Sequence, residues 1–134
     1  MTKRRDWINY RLVMLILFAT VIFIGSSIHG NNIPNPAPDY VMHFMEYGLL
    51  GLLSAFWFET TPVKRMGGKK ALFFASVLFC TIFGLSDEIH QYFVPGRCCD
   101  PKDWLVDILG GMAGAAVLIL ILKAKNPAKG ECPH

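Results

Sequence analysis

The sequence predicts an all-α fold, a four-transmembrane-helix bundle with both termini cytoplasmic. Three observations carry the prediction. Apolar runs at about 12–28, 40–58, 71–94 and 104–122 each come near the length of roughly 20 residues that crosses a hydrocarbon core about 30 Å thick. Hydrophobic residues make up 53% of the 134-residue chain and mean hydropathy is +0.39, which is too apolar for an ordinary soluble domain. The basic residues gather almost entirely at one end of the runs.

The first run, 12–28, contains no charged residue. A soluble four-helix bundle needs a polar stripe along every helix, and neither 12–23 nor 117–122 provides one. Lys3, Arg4 and Arg5 ahead of it resemble the start of a signal peptide. The run is long for such a segment, and Gly25-Ser26-Ser27-Ile28 is a poor small-x-small cleavage site, so a retained helix is expected. The second run carries His43 and Glu46 in its first turns, and the third carries Asp87, Glu88, His90 and Gln91 in its last. Pro95-Gly96 then turns the chain. The fourth run opens with Asp103 and Asp107 and continues with Gly110, Gly111 and Gly114. Small residues four apart let helices approach closely in lipid, and Gly48, Gly51 and Ala55 offer the second run a similar face. These elements form one domain, 1–125, followed by a polar tail at 126–134 that is expected to be dispensable.

Orientation follows from Lys and Arg. Lys3, Arg4, Arg5 and Arg11 precede the first run, Lys64, Arg65, Lys69 and Lys70 lie between the second and third, and Lys123, Lys125 and Lys129 follow the fourth. Only Arg97 and Lys102 fall on the opposite side. The positive-inside rule then places both termini and the middle connection in the cytoplasm, as expected for a multi-pass protein of the cell (inner or plasma) membrane. The net charge of +3 thus reports topology and gives no indication of nucleic-acid binding. Trp7 and Tyr10 at the inner boundary, with Tyr40, Tyr92 and Trp104 at the outer one, read as interfacial belts.

With this orientation the acidic residues converge outside. Ionisable groups in a bilayer cost on the order of 2.5–3.5 kcal/mol each at a helix centre, so several at one depth on three helices imply use. His43, Glu46 and Tyr47 share one helical face, and Asp87, His90 and Gln91 repeat that spacing. His43, Glu46, Asp87, Glu88 and His90 are the candidates for acid–base chemistry, with Glu88 or His43 moving the proton and Asp87 and His90 orienting it. Asp39, Gln91, Arg97, Asp103 and Asp107 are the candidates for ligand binding. Arg97 suits either a counter-ion bridging two carboxylates or a clamp for an anionic ligand. The donor types also suit a divalent metal, but without thiolate spacing no particular metal or cofactor is implied. Cys80 reads as a small buried hydrophobe, and Cys98 and Cys99 lie on the outer loop.

Three stretches in order carry a resemblance: Asp39-x-x-x-His43-Phe44-x-x-Tyr47, Ser86-Asp87-Glu88-Ile89-His90-Gln91-x-Phe93-Val94-Pro95-Gly96-Arg97, and Asp103-x-x-x-Asp107-x-x-Gly110-x-x-x-Gly114. Together they resemble the VanZ-like family over roughly the whole chain. Tyr40 stands where that family commonly has Lys, and Asp107 where it commonly has Asn. The resemblance implies a cell-envelope role similar to that of proteins linked to resistance to the glycopeptide teicoplanin. Three function classes follow. The first is binding of membrane lipids, a lipid-linked cell-wall precursor or a glycopeptide at an extracytoplasmic polar site. The second is a membrane-embedded hydrolase or transferase acting on a lipid-phosphate or cell-wall precursor. The third, transport, is disfavoured because the inner halves of the helices hold almost nothing ionisable.

Overall fold

The computed structural model describes residues 2–28, 38–97 and 99–125, with side chains from Tyr10 onward. The tail at 126–134, Cys98 and the basic side chains at 3–5 lie outside them. The described residues form helices α1 (Thr2–Ser26), α2 (Asp39–Phe58), α3 (Pro62–Tyr92) and α4 (Pro101–Lys125), with no strand among them. The predicted all-α, four-helix fold is therefore observed. Three helices, α2 to α4, are long and apolar enough to cross a membrane. The apolar part of α1, Tyr10–Ser26, is shorter but falls within the crossing range of about 17–25 residues.

Outward faces bear this out. On α3 the exposed residues Phe74, Leu78, Ile82, Leu85 and Ile89 form one helical stripe, and Leu105, Leu109, Met112, Val117 and Leu120 line the outside of α4. Apolar faces of this extent are untenable in water and natural in lipid. The chain is a membrane protein.

Helix α3 begins earlier than its apolar run. Thr61 caps it by accepting the Val63 amide at 3.3 Å, and Pro62 occupies the first turn, where its missing amide hydrogen costs nothing. The helix then breaks at Gly67 and Gly68, the latter at φ +59°, a conformation that favours glycine. Lys64 and Arg65 therefore sit on a short helical lead rather than in an open loop, and Lys69 and Lys70 open the crossing portion.

Helix α2 is the hub, packing against all three others, whereas α1 makes contacts with α2 and α3 only. The closest meeting is α2 with α4, along the glycine faces expected from sequence. A Cβ placed on Gly114 would collide with the Gly48 carbonyl and lie 2.7 Å from the Leu52 nitrogen; one on Gly51 would lie 2.7 Å from the Gly111 Cα. Leu15, Ile22, Tyr47, Leu50, Leu53 and Cys80 form one core cluster, and Ala55, Ala115 and Leu118 another.

At the end opposite the acidic cluster, Arg11 ties three elements together. Its guanidinium donates to the Phe56 carbonyl at 2.8 Å and to Glu59 at 2.6 Å, and lies 3.7 Å from the Phe56 ring centre. Lys64 adds a second bond to Glu59 at 2.9 Å. Burial pushes the Glu59 carboxyl up, but the hydrogen bonds and charges of Arg11 and Lys64 outweigh it and hold the pKa below the usual value. Because the folded-state pKa lies below the unfolded one, the pair stabilises the fold at neutral pH, and that contribution is lost as pH falls through the folded-state value. Glu59→Gln is expected to cost about 1 kcal/mol at pH 7, with the melting temperatures of variant and wild type converging in acid. A difference independent of pH would contradict this.

Candidate functional site

At the end of the bundle where the acidic residues gather, all four helices enclose a cavity of about 480 Å³. Helix α1 contributes Ile22, Gly25 and Ser26; α2 contributes Asp39, Met42, His43 and Glu46; α3 contributes Gln91; the α3–α4 loop contributes Gly96, Arg97 and Asp100; and α4 contributes Asp103. Helical spacing explains the first-turn residues of α2, since Asp39, Met42, His43 and Glu46 recur three or four apart and so share a face. Asp39 is exposed at the rim, Glu46 and Asp103 are half-buried, and His43 and Gln91 are buried.

Beneath the cavity lies a drier cluster. His43 Nδ1 and Asp107 Oδ1 are 2.9 Å apart, joining α2 to α4. The Glu88 side chain reaches them from α3, so that His43, Glu88 and Asp107 each bring one donor atom within 4.8 Å of the others. Glu88 Oε2 accepts the Asp100 amide at 2.9 Å, which fixes the end of the α3–α4 loop. Asp107 is fully buried, and only glycine fits opposite it: a Cβ on Gly84 would lie 2.9 Å from Asp107 Oδ2.

Asp87 belongs to a separate network. It accepts from Ser26 Oγ at 2.7 Å and from Gln91 Nε2 at 3.1 Å, stitching α3 to the end of α1. His90 turns the same way, with Nε2 2.9 Å from Ser27 Oγ and its ring stacked on Phe23 at 4.3 Å. Asp87 and His90, expected to orient His43 and Glu88, thus bond toward α1, while His43 meets Asp107 and Glu88 meets the Asp100 amide. The spacing that put Asp87, His90 and Gln91 on one face was sound, but that face meets α1, not the α2–α4 seam.

Arg97 does not bridge carboxylates among the described residues. Its Nη2 donates to the Gly25 carbonyl at 3.3 Å, which also accepts the Ile28 amide at 3.1 Å, and its Nε donates to the Ile28 carbonyl at 3.4 Å, at the α1 C-terminus. It still lines the cavity, facing the half-buried Glu46 across it. Trp104, expected as an interfacial anchor, is half-buried and donates Nε1 to the Thr81 carbonyl of α3 at 3.0 Å.

Two participants escaped the sequence reading: Ser26 bonds Asp87, and Asp100 supplies a backbone amide. Tyr47, placed by sequence on the face of His43 and Glu46, is fully buried at the base of the site. A serine pair ending the first apolar run at the depth of the acidic cluster was a usable signal for Ser26; nothing in a sequence signals a particular backbone amide.

The described geometry is thus a polar cavity over a buried His–Asp pair with an adjacent carboxylate, set at one end of an apolar four-helix bundle. No curated protein and no solved structure matches the chain. The family model described as VanZ/LLP1 matches residues 3–122, nearly the whole chain and all three of the stretches that build the cavity and the cluster beneath it. The chain belongs to the VanZ/LLP1 family.

Proposed function

We propose that this protein sits in the cytoplasmic membrane with both termini inside, and that its outward cavity binds the polar head of a lipid-linked or amphiphilic cell-envelope molecule. The cavity is the observation that carries the reading. Its volume of about 480 Å³ suits a small headgroup, and its wall pairs polar side chains with apolar Ile22 and Met42. A ligand with a hydrocarbon tail can leave that tail among the lipid-facing residues of the bundle. The resemblance to proteins linked to teicoplanin resistance points to a cell-wall precursor or the glycopeptide itself. Native mass spectrometry of gently extracted protein tests this. Wild type is expected to carry an amphiphile of defined mass that Arg97→Ala loses, because the cavity then loses its one guanidinium and its tie to α1. Identical adducts in both proteins would overturn the reading.

The orientation has its own test. With Cys98 and Cys132 replaced by Ser, exposed Cys99 is expected to react with a membrane-impermeant maleimide in intact cells. Slight burial, then the nearby Glu88 and Asp100 carboxylates, raises the Cys99 pKa, so labelling should still accelerate above the pH where an ordinary thiol levels off. Labelling only after permeabilisation would invert the topology.

One observation favours a second reading, a hydrolase or transferase acting on a lipid-phosphate. An imidazole held by a carboxylate, as His43 is by Asp107, is the arrangement of a general base, and Glu88 stands beside it as a proton donor or acceptor. Turnover of such a lipid by reconstituted protein, lost in His43→Gln, would select this reading over binding alone.

A further inference from the structure

We infer that His43, Glu88 and Asp107 form a binding site for one divalent cation of the Mn²⁺ or Zn²⁺ type. The inference stands on the cluster beneath the cavity and does not depend on what the cavity binds.

The three residues come from α2, α3 and α4 and converge at the only depth where those helices all carry ionisable groups. All are buried, with Glu88 2% exposed and Asp107 0%. Each supplies one donor atom, and these lie within 4.8 Å of one another. Around a tetrahedral ion with ligands about 2.1 Å away, donor atoms stand roughly 3.4 Å apart, so side-chain shifts of up to about 1 Å bring the three donors onto one ion.

Two oxygens point to a missing partner. Glu88 Oε1 and Asp107 Oδ2 are buried with no hydrogen bond among the described residues. Buried carboxylate oxygens are rarely left so, because an unsatisfied charged group costs several kcal/mol. No Lys or Arg among the described residues pairs with either carboxylate; Arg11 and Lys64 pair with Glu59 at the far end. Two carboxylates against one imidazole is a charge imbalance that a divalent ion corrects.

The chemistry of the set narrows the ion. One imidazole and two carboxylates are nitrogen and oxygen donors of intermediate hardness, which suit Mn²⁺ or Zn²⁺ better than Ca²⁺. Three protein ligands also leave coordination positions open, and His43 lines the cavity floor, so those positions face it. A cation there would draw an anionic headgroup into a cavity whose wall carries Asp39, Glu46, Asp100 and Asp103 against Arg97. That last consequence, unlike the site itself, rests on the headgroup reading.

The test uses the purified full-length protein with MnCl₂ or ZnSO₄ alone. Wild type is expected to bind about one ion per chain, measured by elemental analysis after gel filtration and by Mn²⁺ electron paramagnetic resonance. Glu88→Gln is expected to weaken binding at least tenfold, and Glu59→Gln, at the opposite end, to leave it unchanged. The melting temperature of wild type should rise on adding either ion and fall back with EDTA, a readout that needs no variant to fold. Stoichiometry of zero with no thermal shift would overturn the site, as would equal binding by wild type and a folded Glu88→Gln.

Discussion

Gly114→Ala is expected to lose most of the folded protein in detergent, while Gly48→Ala, in the same helix seam, should melt within about 1–2 °C of wild type. At Gly48 an added Cβ stands 3.7 Å from the Gly110 carbonyl, an ordinary contact. At Gly114 it strikes the Gly48 carbonyl and the Leu52 nitrogen. Both obstacles are backbone, so no rotamer change relieves them, and α2 and α4 must part. Overpacking of this kind costs about 1–3 kcal/mol even where side chains can yield, against a total stability of roughly 5–15 kcal/mol. The site suffers as well, although Gly114 touches none of it. His43 and Asp107 sit on these two helices at 2.9 Å, and a separation of about 1 Å breaks their bond. Residual folded Gly114→Ala should therefore lose whatever His43 and Asp107 support. Similar melting of the two alanine variants would show that the seam is looser than its glycine contacts indicate.

That seam was legible from the sequence because glycine spacing on a lipid-embedded helix has few uses besides close packing. The crossing helices were legible because charge is too costly in lipid to leave their extent ambiguous. Partner choice was not. Asp87 and Glu88 are adjacent, yet one faces Ser26 on α1 and the other the α2–α4 seam, a difference of one helical step of 100°. Periodicity fixes which residues share a face, but the rotation of α3 against its neighbours is set by packing that no local pattern records. Arg97 illustrates the same limit. Its charge suggested carboxylates or an anionic ligand, whereas among the described residues it reaches the Gly25 and Ile28 carbonyls at the end of α1. The lead-in to α3 was missed for a different reason. Thr61-Pro62 is a sound helix start, but hydropathy weighs apolar content and discounts a basic turn interrupted by Gly67-Gly68.

The His43–Asp107 pair yields the second large effect, and its size decides what kind of interaction it is. Interhelical hydrogen bonds in membranes are worth about 0.6 kcal/mol on average, so an ordinary one would barely register on deletion. Asp107 is not in an ordinary position. It is fully buried, its Oδ2 already lacks a partner, and His43 is its one hydrogen-bonding contact among the described residues. Removing the imidazole strands the whole carboxyl, at a cost of roughly 2–4 kcal/mol. His43→Ala is accordingly expected to destabilise by that amount in denaturant titrations in metal-free buffer, and Asp107→Ala by less, since a stranded imidazole is cheaper to bury than a stranded carboxylate. The double variant should then be more stable than the two losses summed, by about 2 kcal/mol, because it strands neither group. Losses that simply add, each near 0.6 kcal/mol, would mean that water or lipid headgroups reach Asp107 once His43 is gone. The imidazole itself would then be what shields Asp107 from the cavity, and the pair would count as an ordinary interhelical hydrogen bond.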